Sequence, residues 1–318
     1  MKIAFFEMQP WEREYISSKI KKHTCLFFEH SLTEKDIPKI KECDALSVFI
    51  HSKINKETLD RLPKLKLIAT RSTGFDHINL EECKKSNITL TNVPFYGENT
   101  VAEHAFALIL SLSRNIHKSY VRTINNNYSI KGLTGFDLKG KTLGLIGSGA
   151  IGLHIAKMAK GFGIQVIAYD IIHNEQASKD IGFSYTDLEY LLKNSDIISL
   201  HVPYNKHTHH LLNENNMKNI KKGAIIINTS RGGIIDTEFM LKLLKNKHLL
   251  GAGLDVIEGE EHLSDKNPSI EVKTAKALFK MDNVIFTSHN AFNSKEALVR
   301  ILDTTIKNLT STEKHQVK

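Results

Sequence analysis

Cysteine is scarce in this chain. Among 318 residues there are three, Cys25, Cys43 and Cys83, and no two of them form a C-x-x-C pair. This excludes a disulfide framework and fits reduced thiols in a cytoplasmic protein. Long apolar runs are missing as well; nothing approaches the ~20 consecutive apolar residues of a membrane span. Residues 1–7 carry too short an apolar run for a signal peptide and read as a first strand. Internal repeats, low-complexity tracts and Gly/Ser linkers are absent. The formal charge is +8, but the lysines are dispersed at surface spacings, such as Lys218, Lys221 and Lys222. Nucleic acid is therefore not an expected partner, and neither is a membrane; the milder inference is a preference for small anions.

What the chain does contain is alternation. Short apolar runs at 3–6, 45–50, 67–70 and 88–91 form one series. A second series runs through 142–146, 165–169, 197–200, 224–228, 253–256 and 284–287. Amphipathic stretches separate them. This pattern predicts an α/β protein with parallel sheets covered on both faces. The length favours two domains. Thr100 and Glu103 form a candidate capping box ahead of an apolar helix over 105–112 that lies between the two series. The apolarity of that helix suggests burial against a partner subunit. A last helix is expected to begin near Asn293, with Glu296 in capping-box position. The polar stretch 124–132 reads as a surface loop.

The strongest single motif is Gly147-Ser148-Gly149-Ala150-Ile151-Gly152, which follows an apolar strand and opens a helix. Gly147 permits a tight turn, Gly149 lets a pyrophosphate approach the backbone, and Gly152 lets helix and strand pack closely. The helix N-terminus adds free N–H groups and a positive dipole end. The next strand ends in Asp170, near the ~20-residue spacing of a ribose-binding acid. The expected cofactor is NAD, because a carboxylate there repels a 2′-phosphate.

Three later segments carry reactive groups at strand ends: Thr229-Ser230-Arg231-Gly232-Gly233, Asp255-Val256-Ile257-Glu258-Gly259-Glu260, and Ser288-His289-Asn290-Ala291-Phe292. Ligands of open α/β sheets bind outside the carboxyl ends of strands. A guanidinium suits a planar carboxylate, a histidine suits proton transfer to a developing alkoxide, and an acid beside it orients the ring. Taken singly, Arg231 and His289 would be ordinary surface residues. The H-x-H-H cluster of His207, His209 and His210 lacks acid or thiol companions, and no metal is expected.

In this order the motifs resemble those of the D-isomer-specific 2-hydroxyacid dehydrogenases along essentially the whole chain. Ser72-Thr73-Gly74-Phe75-Asp76 and Asn92-Val93-Pro94-Phe95-Tyr96 are similar to that family's substrate-domain signatures. The resemblance implies two flavodoxin/Rossmann-like domains: a discontinuous substrate domain over 1–98 and 290–318, and an NAD domain over 99–289. It implies that Arg231 clamps the substrate carboxylate, His289 is the acid/base and Glu260 its partner, while Glu258 and Glu261 do not match. Asp255 is implied to hold the nicotinamide carboxamide. Val202, Pro203 and Thr208, with Thr229 and Ser230, are implied to line the cofactor groove. Thr73 and Gly74 are implied to bind the substrate carboxylate through backbone N–H groups, with Tyr96 and Phe292 lining the pocket.

Two departures stand out. Ser288 and Glu261 occupy positions where the family commonly has proline. The long segment 261–282, together with His289-Asn290-Ala291-Phe292 and the Pro94-Phe95-Tyr96 run, is most like the D-lactate dehydrogenase subgroup. The implied reaction is interconversion of pyruvate and D-lactate by a homodimer. Glycerate, phosphoglycerate or branched 2-hydroxy acids are alternative substrates, and a dinucleotide-sensing interaction protein is an alternative of a different class.

Overall fold

Apolar runs of three to five residues make most of the strands, and helices cover both faces of each sheet. The first unit holds β1 (Lys2–Phe5), α1 (Pro10–Lys19), β2 (Thr24–Phe27), α2 (Ile37–Ile40), β3 (Ala45–Val48), α3 (Lys56–Asp60), β4 (Leu67–Thr70), α4 (Leu80–Lys85) and β5 (Thr89–Thr91). Every residue of β3 and β4 is buried, as expected for parallel strands packed on both sides. The sheet order is β2-β1-β3-β4-β5, parallel throughout. Asn55 and Asn79 cap α3 and α4 by accepting from Thr58 and Glu82 N–H.

The second unit comprises α5 (Glu98–Ser113), α6 (Ile116–Ile124), β6 (Thr142–Ile146), α7 (Ala150–Gly161), β7 (Gln165–Tyr169), α8 (Glu175–Ile181), β8 (Ser184–Tyr185), α9 (Leu188–Asn194), β9 (Ile197–Leu200), α10 (Glu214–Met217), β10 (Ile225–Asn228), α11 (Thr237–Lys245), β11 (Gly251–Leu254), α12 (Ile270–Leu278) and β12 (Val284–Phe286). Its seven parallel strands run β12-β11-β10-β9-β6-β7-β8, the dinucleotide-binding order with one strand added at the edge. The last helix, α13 (Lys295–Thr310), belongs to the first unit, where Leu302 and Leu309 pack with Ile3, Phe5 and Ile16.

This computed structural model describes residues 1–311 and 315–317. Its units are Met1–Tyr96 with Ser294–Lys318, and Gly97–Asn293. The divisions fall a few residues from those read in the sequence. Residues 290–293 stay with the second unit because Asn290 and Ala291 donate their N–H groups to Asp255. Thr100 lies inside α5 rather than at its cap, which is Gly97. The cap of α13 is Ser294, which accepts from Ala297 N–H. Ala105, Phe106, Leu108, Ile109 and Leu112 of α5 are buried with Leu143, Leu145, Ile155 and Ile227. The second unit itself therefore covers the apolar helix that looked available for a partner. No helix among the described residues is long and apolar enough to cross a membrane.

Each sheet reverses its strand order once, and an ionisable side chain sits near each reversal. In the first unit Arg71 is 2% exposed. It donates to Phe6 O at 2.7 Å, Glu7 O at 2.8 Å and Ser47 Oγ at 3.2 Å. In the second unit His201 follows β9; its Nε2 lies 2.7 Å from Ser199 Oγ, and burial pushes its pKa down to about 3. A histidine held neutral in the fold titrates near ~6.5 once unfolded. The stability it contributes is present above that value and is lost as pH falls toward about 3, because the unfolded chain then binds the extra proton. The slope is ~1.4 kcal/mol per pH unit for one proton. Urea unfolding between pH 7 and pH 4 should show a flatter decline for His201→Asn than for the wild type; identical declines would exclude His201 as the source.

Candidate active site

The turn after β6 is shaped by glycine for steric reasons. Gly147 has φ +97°, and a Cβ there would lie 2.6 Å from the His201 carbonyl group. A Cβ on Gly152 would lie 2.1 Å from Gly147 O, so α7 can start close to the strand only without one. Gly149 faces open space and caps α7 with no side-chain bond. The N–H groups of the first turn, at Ala150 and Ile151, are thus left to an external anion. Asp170 ends β7. Burial opposes its charge, but Ser148 N–H at 2.6 Å, Ser148 Oγ at 3.0 Å and Ile172 N–H at 3.1 Å outweigh it and hold the carboxyl below its usual range.

Across the strand-order reversal, Thr208 Oγ donates to Pro203 O at 2.6 Å and accepts from Asn205 N–H at 2.8 Å. This closes the loop that begins at Val202. After β10, Ser230 Oγ donates to Leu200 O at 2.7 Å and Asn228 Nδ2 to Arg231 O at 2.9 Å. Thr229 Oγ1 is buried without a partner among the described residues. An open helix N-terminus, an ionised acid at the next strand end and an orphan hydroxyl in the adjoining groove together fit a dinucleotide.

His289 and Glu260 meet directly. His289 Nδ1 lies 2.8 Å from Glu260 Oε1, with the two side chains 20% and 26% exposed. Glu260 uses its other oxygen to accept from Ile257 N–H at 3.2 Å, after a left-handed turn at Gly259. With Nδ1 on the carboxylate, Nε2 is the ring nitrogen left for a reacting oxygen. His289 has φ 48°, a region uncommon for non-glycine residues. It is held there by N–H donation to Asp255 O and Thr287 O, both at 2.8 Å.

Asp255, the residue implied to hold the nicotinamide carboxamide, has a side chain 1% exposed and bonded to the His289 loop. One oxygen accepts from Thr287 Oγ and Asn290 N–H, the other from Ala291 N–H. His104 Nε2 of α5 sits 2.9 Å from Thr287 Oγ and 3.4 Å from the same carboxylate. Burial opposes the charge, and these donors outweigh it, so the acid stays ionised. Sequence reasoning missed His104, because its partners lie more than 150 positions away and no local signal marks it.

In the first unit, Thr73 Oγ donates to Val93 O and Asn92 Nδ2 to Thr73 O, both at 2.8 Å. Among the described residues the N–H groups of Thr73 and Gly74 have no acceptor, which suits anion binding. Arg71 and Glu7 brace this end of the sheet. The Glu7 carboxylate accepts from Phe49 N–H, His51 N–H and Ser52 Oγ, and neither residue was singled out in the sequence. Tyr96 accepts from Arg300 Nε through its carbonyl at 2.6 Å and belongs to the first unit, whereas Phe292 belongs to the second. Both are half-buried. Among the described residues no group of three or more His, Cys, Asp or Glu side chains could hold a metal ion.

Comparison with known proteins agrees with this chemistry. Residues 106–291 match the family described as D-isomer specific 2-hydroxyacid dehydrogenase, NAD binding domain. The chain is 37% identical over 321 residues to a D-lactate dehydrogenase of Escherichia coli (strain K12), covering 99% of the chain and 97% of the relative. It is 40% identical over 288 residues to a glyoxylate reductase of Thermococcus litoralis, covering 88% and 84%. Among solved structures, D-lactate dehydrogenase from Aquifex aeolicus, complexed with NAD and lactic acid, superposes with a TM-score of 0.90 at 36% identity, covering 96% of this chain and 94% of that one. The chain belongs to the D-isomer-specific 2-hydroxyacid dehydrogenases, and is an NAD-dependent enzyme that interconverts a 2-oxo acid and its D-2-hydroxy acid.

Proposed function

We propose that the substrate pair is pyruvate and D-lactate, and that Arg231, Glu260 and His289 carry the reaction. The observation that carries this reading is the 2.8 Å contact between His289 Nδ1 and Glu260. In reduction, the Arg231 guanidinium binds the substrate carboxylate and polarises its carbonyl. Backbone N–H groups of Thr73 and Gly74, in the first unit, are open to a carboxylate. His289 delivers the Nε2 proton to the carbonyl oxygen as negative charge develops there, and takes it back in oxidation. Glu260 keeps Nδ1 protonated and offsets the imidazolium charge. The bound nicotinamide supplies or accepts the hydride at carbon 2. Similarity along nearly the whole chain to D-lactate-acting relatives supports a short substrate.

Asp170 favours NAD over NADP because two unit charges ~4 Å apart repel by ~1 kcal/mol in water and ~4 kcal/mol at an effective dielectric of ~20. The oligomer is a homodimer. Support comes from α6 and the segment after it, where Ile116, Tyr120, Val121, Ile124, Tyr128 and Ile130 are 52–84% exposed; an apolar face of this kind marks an interaction surface. Three free thiols support a cytoplasmic location, which cell fractionation checks.

His289→Ala should lower kcat for pyruvate reduction by roughly 100-fold or more, and an unchanged kcat would remove the acid/base assignment. In a panel of pyruvate, 2-oxobutyrate, phenylpyruvate, hydroxypyruvate and glyoxylate, pyruvate should give the highest kcat/KM, with D-lactate oxidised and L-lactate not. A tenfold advantage for hydroxypyruvate or glyoxylate would move the substrate assignment and leave the reaction class standing. Asp170→Ala should narrow the preference for NADH over NADPH in equilibrium binding; wild-type preference for NADPH refutes the assigned role. Sedimentation should give about twice the 35.9 kDa chain mass, and a monomer at micromolar concentration contradicts the dimer.

A further inference from the structure

A second histidine–glutamate contact lies behind the first. His210 Nε2 is 2.6 Å from Glu258 Oε1, with side chains 35% and 17% exposed. Neither residue has a role in the mechanism above. His210 sat in a histidine cluster that suggested no metal, and Glu258 did not match the catalytic acid.

The backbone around His210 is tightly determined. Its φ is 46°, in the left-handed region that non-glycine residues seldom adopt, and such conformations persist only where their surroundings hold them. Its N–H donates to Gly233 O at 2.8 Å, and its carbonyl accepts from Asn213 Nδ2 at 2.9 Å. The ring stacks on His209 at 4.1 Å, and His209 Nδ1 lies 3.1 Å from Tyr204 OH. The remaining oxygen of Glu258 accepts from Thr237 N–H at 3.3 Å, at the start of α11.

The pair therefore ties together three strand-end segments, those following β9, β10 and β11. Two of them bear Arg231 and Glu260. Gly232, next to Arg231, lies so close to the third segment that a Cβ would fall 2.0 Å from Ile257 C and 2.3 Å from Glu258 N. Ile257 N–H in turn donates to Glu260. A displacement of Glu258 would thus reach both Arg231 and the carboxylate that orients His289. We propose that His210 and Glu258 are positioning residues, a charge-assisted clasp that sets Arg231 and Glu260 at their working separation. This inference rests on the roles given to those two residues in the proposed function.

The test compares His210→Ala, Glu258→Ala, their double variant and His210→Gln, which keeps an N–H donor, with wild type. His207→Ala serves as a neighbouring control and His289→Ala as a marker of the underlying mechanism. The readouts are kcat and KM for pyruvate, NADH dissociation constants by fluorescence, and Tm. Each single alanine variant should lose roughly 10- to 100-fold in kcat with NADH binding within about twofold. The double variant should lose no more than the worse single one, because the two act as a unit. His210→Gln should recover most of the rate, a result that simple loss of packing would not give. Wild-type kcat in both single variants, independent multiplicative losses in the double, or no recovery with Gln overturns the clasp while leaving His289→Ala inactive. Full kcat in His289→Ala instead overturns the underlying mechanism, and the clasp with it.

Discussion

The buried carboxylate of Asp255 is the constraint on which the rest of the site depends. It receives one hydroxyl and two backbone N–H groups from the loop after β12, and its own carbonyl accepts the N–H of His289. Hydrogen bonds to a charged group contribute ~1.5–3 kcal/mol each, whereas burying a bare carboxylate costs several kcal/mol. The donors decide the outcome, since the acid remains ionised against its burial. The loop cannot relax without stranding that charge, so His289 is held at an uncommon backbone conformation.

Around that centre the sequence was legible where chemistry and spacing coincide in a short stretch. The glycine motif of residues 147–152 sits at the turn its steric demands require, and most strand runs were placed within a residue or two. Parallel strands buried on both faces are continuous apolar runs, and these are easy to read. Two strands were not read. β2 is a half-exposed edge strand, Thr24-Cys25-Leu26-Phe27, and β8 has only two residues. Neither carries enough apolar periodicity to stand out from a turn. The caps went astray for a related reason: Thr100 and Glu103 have the right spacing, but helix packing begins at Gly97 and overrides the local signal.

The site divides along the same line. The type and order of Arg231, Glu260 and His289 were visible because each lies in a glycine-containing or polar strand-end segment. The longer-range contacts were invisible. His104 and the His210–Glu258 contact in the second unit, and Arg71 in the first, depend on partners dozens to more than a hundred positions away. Individual histidines and arginines in a helix or after a strand have no local mark of such a role. Tertiary folding, which brings strand ends together at one edge, turns scattered polar residues into a bonded network.

Two histidines in the second unit illustrate how far environment, rather than residue type, assigns function. His201 and His289 each follow a parallel strand of one sheet. The His201 ring has Nδ1 buried without a partner among the described residues and Nε2 on a serine hydroxyl, and its pKa is pushed down by burial. A proton added there would place a charge beside no carboxylate partner. His289 lies part-exposed with a carboxylate on Nδ1, so a proton added at Nε2 creates an ion pair rather than an isolated charge. The first lies beside the Gly147 turn, where its carbonyl leaves no room for a Cβ; the second presents Nε2 with a carboxylate already on the other nitrogen. The two rings differ because the cost of a charge on a histidine is set by what surrounds it, and the strand ends of one parallel sheet here give one ring a serine hydroxyl and the other a carboxylate.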